Sequence, residues 1–145
     1  MPDWVSAGFN EYAKRLPKNY QLNLIEIPAL KRTESTNIKQ IIIEEGVKLL
    51  TAVPKNNLIV ALDEHGKEWT TMELAQKISN WHDEQQDISL LIGGPDGLSD
   101  ECRNKAQAIW SLSKLTLPHQ MIKIFLAEQV YRAWSIINKH PYHRS

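Results

Sequence analysis

The sequence predicts an α/β fold with a largely parallel sheet and helices on both faces. Three observations predict it. Short apolar runs that suit buried strands alternate with longer segments of helical periodicity. One such run, Ile88 to Ile92, stops in a glycine-rich turn, Gly93-Gly94-Pro95-Asp96-Gly97, and ligands of open α/β sheets bind at such strand ends. The chain of 145 residues is long enough for one domain with one core, so residues 1–145 are expected to form a single domain.

The elements follow in order. Residues 3–16 read as an amphipathic helix with Trp4, Val5, Phe9, Tyr12, Ala13 and Leu16 at helical spacing and Asp3 as N-cap; Gly8 weakens that pattern. Tyr20 to Ile27 alternates apolar and polar residues into Pro28 and reads as a strand. Lys31 to Thr36 is a polar loop. Asn37 to Ala52 reads as a helix with Ile38, Ile41, Ile42, Leu49 and Leu50 inward. Asn57 to Leu62 is a short strand ending in the turn Asp63-Glu64-His65-Gly66. Thr71 opens a helix through Trp81, Ile88 to Ile92 is a strand, and Ser99 caps a helix to about Ala108. Trp110 to Leu117 alternates like a strand and Pro118 halts it. Gln120 to Asn138 is the last helix, followed by the tail Lys139 to Ser145. In a parallel sheet the ends at Leu62, Gly93 and Leu117 lie on one edge, so their loops surround one pocket.

Composition narrows the function classes. Five tryptophans oppose disorder. A single cysteine, Cys102, excludes an internal disulfide and fits a reducing cytoplasm; inside a helical pattern it reads as a packing residue. No apolar run reaches membrane-spanning length and no signal-peptide pattern opens the chain. Formal net charge is zero, yet residues 1–99 carry 10 Lys and Arg against 14 Asp and Glu, and residues 100–145 carry 7 against 3. The C-terminal third is thus basic, on an otherwise acidic protein.

The glycine turn is not a phosphate cradle. It matches neither GxxxxGK[ST] nor GxGxxG, and Pro95 lacks the N–H that a phosphate would use. Metal-ligand spacings, a CxxC pair and a GxSxG elbow are absent from the sequence, so no metal is expected. Asp63 and Glu64 read as solvated carboxylates or as general acids. Chemistry without metal, nucleophile or phosphate cradle suits group transfer from a pre-activated donor, where the protein binds and aligns.

Trp110-Ser-Leu-Ser-Lys-Leu-Thr-Leu-Pro-His119, Glu128-Gln-Val-Tyr-Arg-Ala-Trp134 and Tyr142-His-Arg144, with Leu90-Leu-Ile-Gly-Gly-Pro-Asp-Gly-Leu98 upstream, resemble the RlmH family. That resemblance implies a homodimeric bacterial methyltransferase of the SPOUT class, which uses S-adenosylmethionine to methylate N3 of a pseudouridine in 23S rRNA. It implies a C-terminal part threaded into a trefoil knot, a rare exception to unthreaded chains. It also implies a cofactor held by Leu62, Gly93 and the run Leu112, Ser113, Lys114, Leu115, Thr116 and Leu117. Taken singly, those leucines read as core packing. Family members usually open with an apolar strand ending in glycine. This sequence opens at Met1-Pro2-Asp3-Trp4, already at the helix, so the strand is missing from it, either because the start is truncated or because this member lacks it.

Residues for the chemistry cluster near the end. Arg132 reads either as an i,i+4 partner of Glu128 or as a contact to phosphate or base. His119, at the mouth of the last helix, reads equally as a catalytic residue or as a capping or packing one. Tyr142, His143 and Arg144 form an aromatic and basic tail suited to stacking on an unpaired base and holding phosphate. The expected roles are His143 as proton acceptor, Arg132 or Arg144 as electrostatic stabiliser, and Tyr142 as the group that positions the base. A non-catalytic RNA- or ribosome-binding module on the same scaffold is the alternative; a small-molecule enzyme using a nucleotide is disfavoured by the failed phosphate motifs.

Overall fold

A computed structural model describes residues 1–144. In chain order the elements are α1 (Asp3–Ala13), a 3-10 turn (Lys18–Tyr20), α2 (Ile38–Ala52), β1 (Leu58–Glu68), α3 (Thr71–Asp83), β2 (Ile88–Ile92), α4 (Asp100–Lys105), β3 (Ala108–Ser111) and α5 (His119–Ile137). The sheet is small and all-parallel, with strand order β2-β1-β3, and helices flank it. The chain divides into two compact units: residues 26–68 with 86–119, and residues 1–25 with 69–85 and 120–145.

The first unit holds the sheet. Ala61 and Leu91, on one face, pack with Leu98 and Cys102, and Leu49, Leu50, Val53, Ile59, Ala106 and Ile109 surround them. Cys102 is fully buried, its Sγ on the Gly46 carbonyl at 3.6 Å, which is the packing role expected of it. Asn37 caps α2 by accepting from the Gln40 N–H. Of the residues expected inward on α2, Ile41 is buried, Ile42, Leu49 and Leu50 are half-buried, and Ile38 is exposed at the first turn. Ser99 caps α4 by accepting from the Cys102 N–H.

The second unit is helical. Thr70 and Glu73 close a capping box at the start of α3. Pro2, rather than Asp3, holds the cap position of α1; Asp3 lies in the first turn, where its charge favours the helix N-terminus. Gly8 is explained by close approach: a Cβ there would lie 2.7 Å from Ile124 Cδ1 on α5. Val5, Phe9, Leu74, Ala75, Leu126, Ala127 and Tyr131 are buried.

Several boundaries differ from the sequence expectation, each for a physical reason. Tyr20 to Ile27 forms no strand. Tyr20, Leu22, Leu24 and Ile27 are half-buried and Ile25 is exposed, but among the described residues no neighbouring segment supplies the ladder hydrogen bonds that define a strand. Strand β1 does not end at Leu62. It makes an excursion at Asp63 to Gly66 and rejoins β3, so that both Leu62 and Lys67 face Trp110. Helix α4 stops at Lys105 because Gln107 is captured by β1: its N–H donates to the Ile59 carbonyl at 2.8 Å and its side chain accepts from the Ile59 N–H at 2.7 Å. Strand β3 stops at Ser111, well short of Leu117. Ser111 Oγ donates to the Ser113 carbonyl and Ser113 Oγ accepts from the Leu115 N–H, and such local bonds displace strand pairing.

Gly46 tests this packing. Glycine to alanine inside a helix ordinarily gains about 1 kcal/mol. Here an added Cβ would run into Ser99 Oγ and lie 2.9 Å from Ser99 Cβ, displacing the cap of α4. Gly46→Ala is therefore expected to destabilise by about 1–3 kcal/mol, read as a lowered urea midpoint.

Candidate functional site

The register of the sheet sets the first group of candidate residues. Leu62 pairs with Ile92 on one side and with Trp110 on the other. The three chains therefore leave the sheet side by side, into Asp63–Gly66, Gly93–Gly97 and Leu112–Leu117. The third of these is a loop after β3, not the end of a strand. Leu62 is buried, Leu112 and Leu117 are half-buried, and Leu115 is 71% exposed. Core packing explains Leu62 but not Leu115.

Each loop is tied down. Asp63 is not a solvated carboxylate: its side chain is 10% exposed, pairs with Arg103 Nε, and accepts from the His65 N–H at 2.9 Å. Burial pushes its carboxyl up, but the His65 amide and the Arg103 guanidinium outweigh that and hold it below its usual value. Glu64 is exposed and accepts from Thr116 Oγ1 at 2.7 Å, joining the first loop to the third. In the glycine turn the Gly97 N–H donates to the Gly94 carbonyl at 3.0 Å and Gly97 has φ +86°, a region that suits glycine. A Cβ on Gly93 would lie 2.7 Å from Leu98 N and 2.9 Å from Gly97 Cα. Gly93 is thus required by closure of the turn itself. The loops offer backbone N–H and C=O groups and small or apolar side chains, which can hold a nucleoside and an amino-acid chain without a phosphate-binding motif.

The second group lies along α5 and the tail. Among the described residues the tail does not fray: the His140 N–H donates to the Ser135 carbonyl at 2.8 Å, and Lys139, at φ +55°, turns the chain back. Glu128 is the hub. It accepts from Arg132 Nη2 at 2.7 Å and Nε at 3.0 Å, from the Tyr142 hydroxyl at 2.6 Å, and from Gln129 Nε2 at 2.9 Å. Burial raises its carboxyl, but the Arg132 and Tyr142 donors prevail and hold it below the usual carboxylate range. Tyr142 is pushed up to about 12, by burial first and by its bond to Glu128 second. Its ring meets Tyr131 edge-on at 4.6 Å and lies under the Arg132 guanidinium at 4.8 Å.

His143 Nδ1 lies 3.1 Å from Arg132 Nη1. A guanidinium only donates, so Nδ1 accepts and the ring proton sits on Nε2. Arg144 is exposed. The i,i+4 pair of Arg132 with Glu128 is therefore present, and the same side chain also touches Tyr142 and His143.

The expected cofactor residues all fall in the sheet-bearing unit, and Arg132, Tyr142, His143 and Arg144 all in the helical one. Glu128 is the residue whose importance the sequence understates; its i,i+4 spacing to Arg132 gives the pair, but not the hydroxyl arriving from Tyr142. Arg103 on Asp63 leaves no local signal, because its partner lies 40 positions away. Among the described residues no group of His, Cys, Asp and Glu is arranged to hold a metal, and no helix is long and apolar enough to cross a membrane.

Residues 1–143 match the family model described as "Predicted SPOUT methyltransferase". The chain is 54% identical over 144 residues to Ribosomal RNA large subunit methyltransferase H of Coxiella burnetii (strain Dugway 5J108-111), covering 99% of this chain and 93% of that protein. It is 51% identical to the protein of that name from Thioalkalivibrio sulfidiphilus (strain HL-EbGR7), over 99% and 92% of the two chains. For the one from Marinomonas sp. (strain MWYL1), identity is 49% over 99% and 93%. With a family match across almost its whole length, an all-parallel sheet and its loops gathered at one edge, this chain belongs to the SPOUT methyltransferase family.

Proposed function

We propose that this chain is an S-adenosylmethionine-dependent methyltransferase of the large ribosomal subunit, acting on N3 of a pseudouridine in 23S rRNA. The observation that carries the reading is identity of about half over 144 residues to proteins named for large-subunit rRNA methylation. The family's fold supports a single domain over residues 1–145 with the C-terminal part threaded as a trefoil knot, and a ribosomal substrate supports a cytoplasmic location.

Leu62, Gly93 and Leu112, Ser113, Lys114, Leu115, Thr116 and Leu117 would hold the cofactor. The backbone groups of the glycine turn and the exposed Leu115 fit a ligand with a polar amino-acid arm and a flat base. When bound, S-adenosylmethionine supplies a methyl group on a positively charged sulfur, already activated for transfer. The chain's own residues then have three tasks: to position the base, to stabilise the anion left by loss of the N3 proton, and to accept that proton.

Tyr142 positions the base. It keeps its own proton, being pushed up to about 12, and so serves as a stacking surface and not as a base. Arg144, exposed, stabilises the anion, with Arg132 behind it. His143 accepts the proton at Nδ1. That atom is engaged by Arg132 here, so the step requires the Arg132–His143 contact to open as RNA is bound. His143→Ala is expected to lower turnover at saturating ribosome by on the order of a hundredfold with rRNA affinity little changed. Normal turnover with weakened affinity would make His143 an anchor instead. The test of the whole reading is incubation with ribosomes and methyl-labelled cofactor, followed by mapping of the labelled nucleotide. Ribosome binding without methyl transfer would favour a non-catalytic binding module.

Glu128 gives this site an acid limit. Its carboxyl is held below its ordinary value in the folded chain, so its contribution to docking the tail is complete above that ordinary value. It is lost as pH falls through the depressed one. In acid titration followed by NMR, the ring signals of Tyr142 and the side-chain amide of Gln129 should keep their docked shifts through the usual carboxylate range and move together below it. Glu128→Gln should abolish that late transition.

A homodimer is part of the proposal. Helix α5 carries apolar residues on more than one face, leaving Phe125 40% exposed and Met121 and Ile122 half-buried, where a surface helix needs one apolar stripe. Pairing through α5 would also bring two basic C-terminal regions together. Light scattering at micromolar concentration should give twice the chain mass; a monomer would contradict it.

A further inference from the structure

The turn after β2 is seated on an ion pair that comes from elsewhere in the sequence. Glu45, on α2, is a buried carboxylate with its side chain 9% exposed. It accepts from Arg32 with both oxygens, Nη2 to Oε1 at 2.9 Å and Nη1 to Oε2 at 3.0 Å, and from the Leu30 N–H at 2.9 Å. Arg32 Nη1 also donates to the Leu30 carbonyl at 2.9 Å. The remaining nitrogen of the guanidinium, Nε, reaches Asp96 Oδ2 in the glycine turn at 2.7 Å. On the other side of that turn, a Cβ on Gly94 would lie 3.2 Å from Glu45 Oε1 and 3.8 Å from Arg32 Nη2. The turn therefore rests its backbone on the pair at Gly94 and is pinned to it at Asp96.

We propose that Arg32 and Glu45 are positioning residues for the methyl donor, fixing the Gly93–Gly97 turn in the shape that binds it. The inference rests on the reading of that turn as part of the cofactor cradle. A buried ion pair adds little to stability compared with well-packed apolar side chains. What it adds is direction: a planar guanidinium held by two bonds to Glu45 points its third face one way only. A turn that presents backbone groups to a ligand needs that kind of restraint, since it closes on itself only through the narrow Gly94–Gly97 bridge and the close approach of Gly93 to Gly97 and Leu98. Glu45 orients Arg32, Arg32 orients Asp96, and Asp96 carries the restraint into the turn. None of the three is expected to touch the reacting atoms.

The test is calorimetric titration of S-adenosylmethionine into the full chain and its variants. Asp96→Ala cuts the link to the turn and leaves the buried pair intact. Arg32→Lys keeps the charge beside Glu45 but loses the fork. Each is expected to weaken cofactor binding about tenfold, and the double variant should bind no more weakly than the worse single one, because both break one chain of contacts. Cofactor-free affinity for ribosomes should be unchanged in all three. Losses that multiply in the double variant would overturn the proposal. So would unchanged cofactor affinity with a lowered melting temperature, which would reduce the pair to a clamp on residues 28–36. Leu115→Asp, in a different loop of the cradle, separates the two levels. If it weakens cofactor binding while Arg32→Lys and Asp96→Ala do not, the positioning role alone falls. If all three bind normally, the cradle falls and the positioning role with it.

Discussion

The candidate cofactor site depends on one constraint, the parallel register of β1 with both neighbours. Because Leu62 faces Ile92 and Trp110, three segments far apart in sequence leave the sheet at one level. An antiparallel neighbour, or a slip of one residue, would send a loop to the other end or turn its side chains to the other face. The register is itself held by burial. Ala61 and Leu91 lie against Leu98 and Cys102 on one face, and Val60, fully buried, points to the other. Once the ends are level, the loops are secured by polar ties of low local cost: Arg103 on Asp63, Thr116 on Glu64, Arg32 on Asp96. The apolar face sets position to within a residue, and the ties set it to within a bond.

Helix α5 and the tail use the opposite economy of side chains. There the geometry is set by a carboxylate with more donors than neighbours of its own sign. Glu128 draws Arg132, Gln129 and Tyr142 onto one point of α5, and Gln129 in turn accepts from Thr71 Oγ1 at 2.9 Å. Aromatic contacts among Tyr131, Trp134, His140 and Tyr142 complete the bed on which the tail lies. Residues 139–143, with so many partners, depart from the frayed terminus that their place in the sequence would suggest.

Much of this was legible in the residues, and the failures share one cause. Helices α2, α3 and α5 and strand β2 followed from periodicity and caps, because those signals are local. Tyr20 to Ile27 failed as a strand since a strand is a property of two chains, and alternation in one says nothing of a partner. Leu112 to Leu117 failed likewise: its alternation is real, but Ser111 and Ser113 spend their hydroxyls on the nearby backbone. The excursion at Asp63 to Gly66 was visible as a turn, while the return of β1 to β3 at Lys67 was not. For the candidate sites, the strand ends and the resemblance pointed to Leu62, Gly93, Leu112–Leu117, Arg132 and Tyr142–Arg144, whose roles are those proposed above. Arg32, Glu45 and Asp96 left no trace, as their partners lie 13 and 64 positions apart. Charge pairs of that separation have no period to read.

The ordered tail narrows the proton chemistry proposed for it. A group that accepts a proton near neutral pH must be free to change its protonation state there. Tyr142 is a poor candidate, since its phenol already keeps its proton to about 12 and donates it to Glu128. Glu128 is no better: its charge is stabilised by donors on both oxygens, and taking a proton would cost it those bonds. Arg132, its guanidinium raised further by the bond to Glu128, has no lone pair to offer. Within this cluster that leaves the His143 imidazole, whose Nδ1 lone pair is held by Arg132 Nη1, while Nε and Nη2 of the same guanidinium bond Glu128. Releasing His143 therefore leaves Arg132 still paired with Glu128, whereas using Tyr142 or Glu128 would dismantle the hub. The same network that orders the tail thus assigns its least costly change to the histidine, and this asymmetry supports His143 as the proton acceptor.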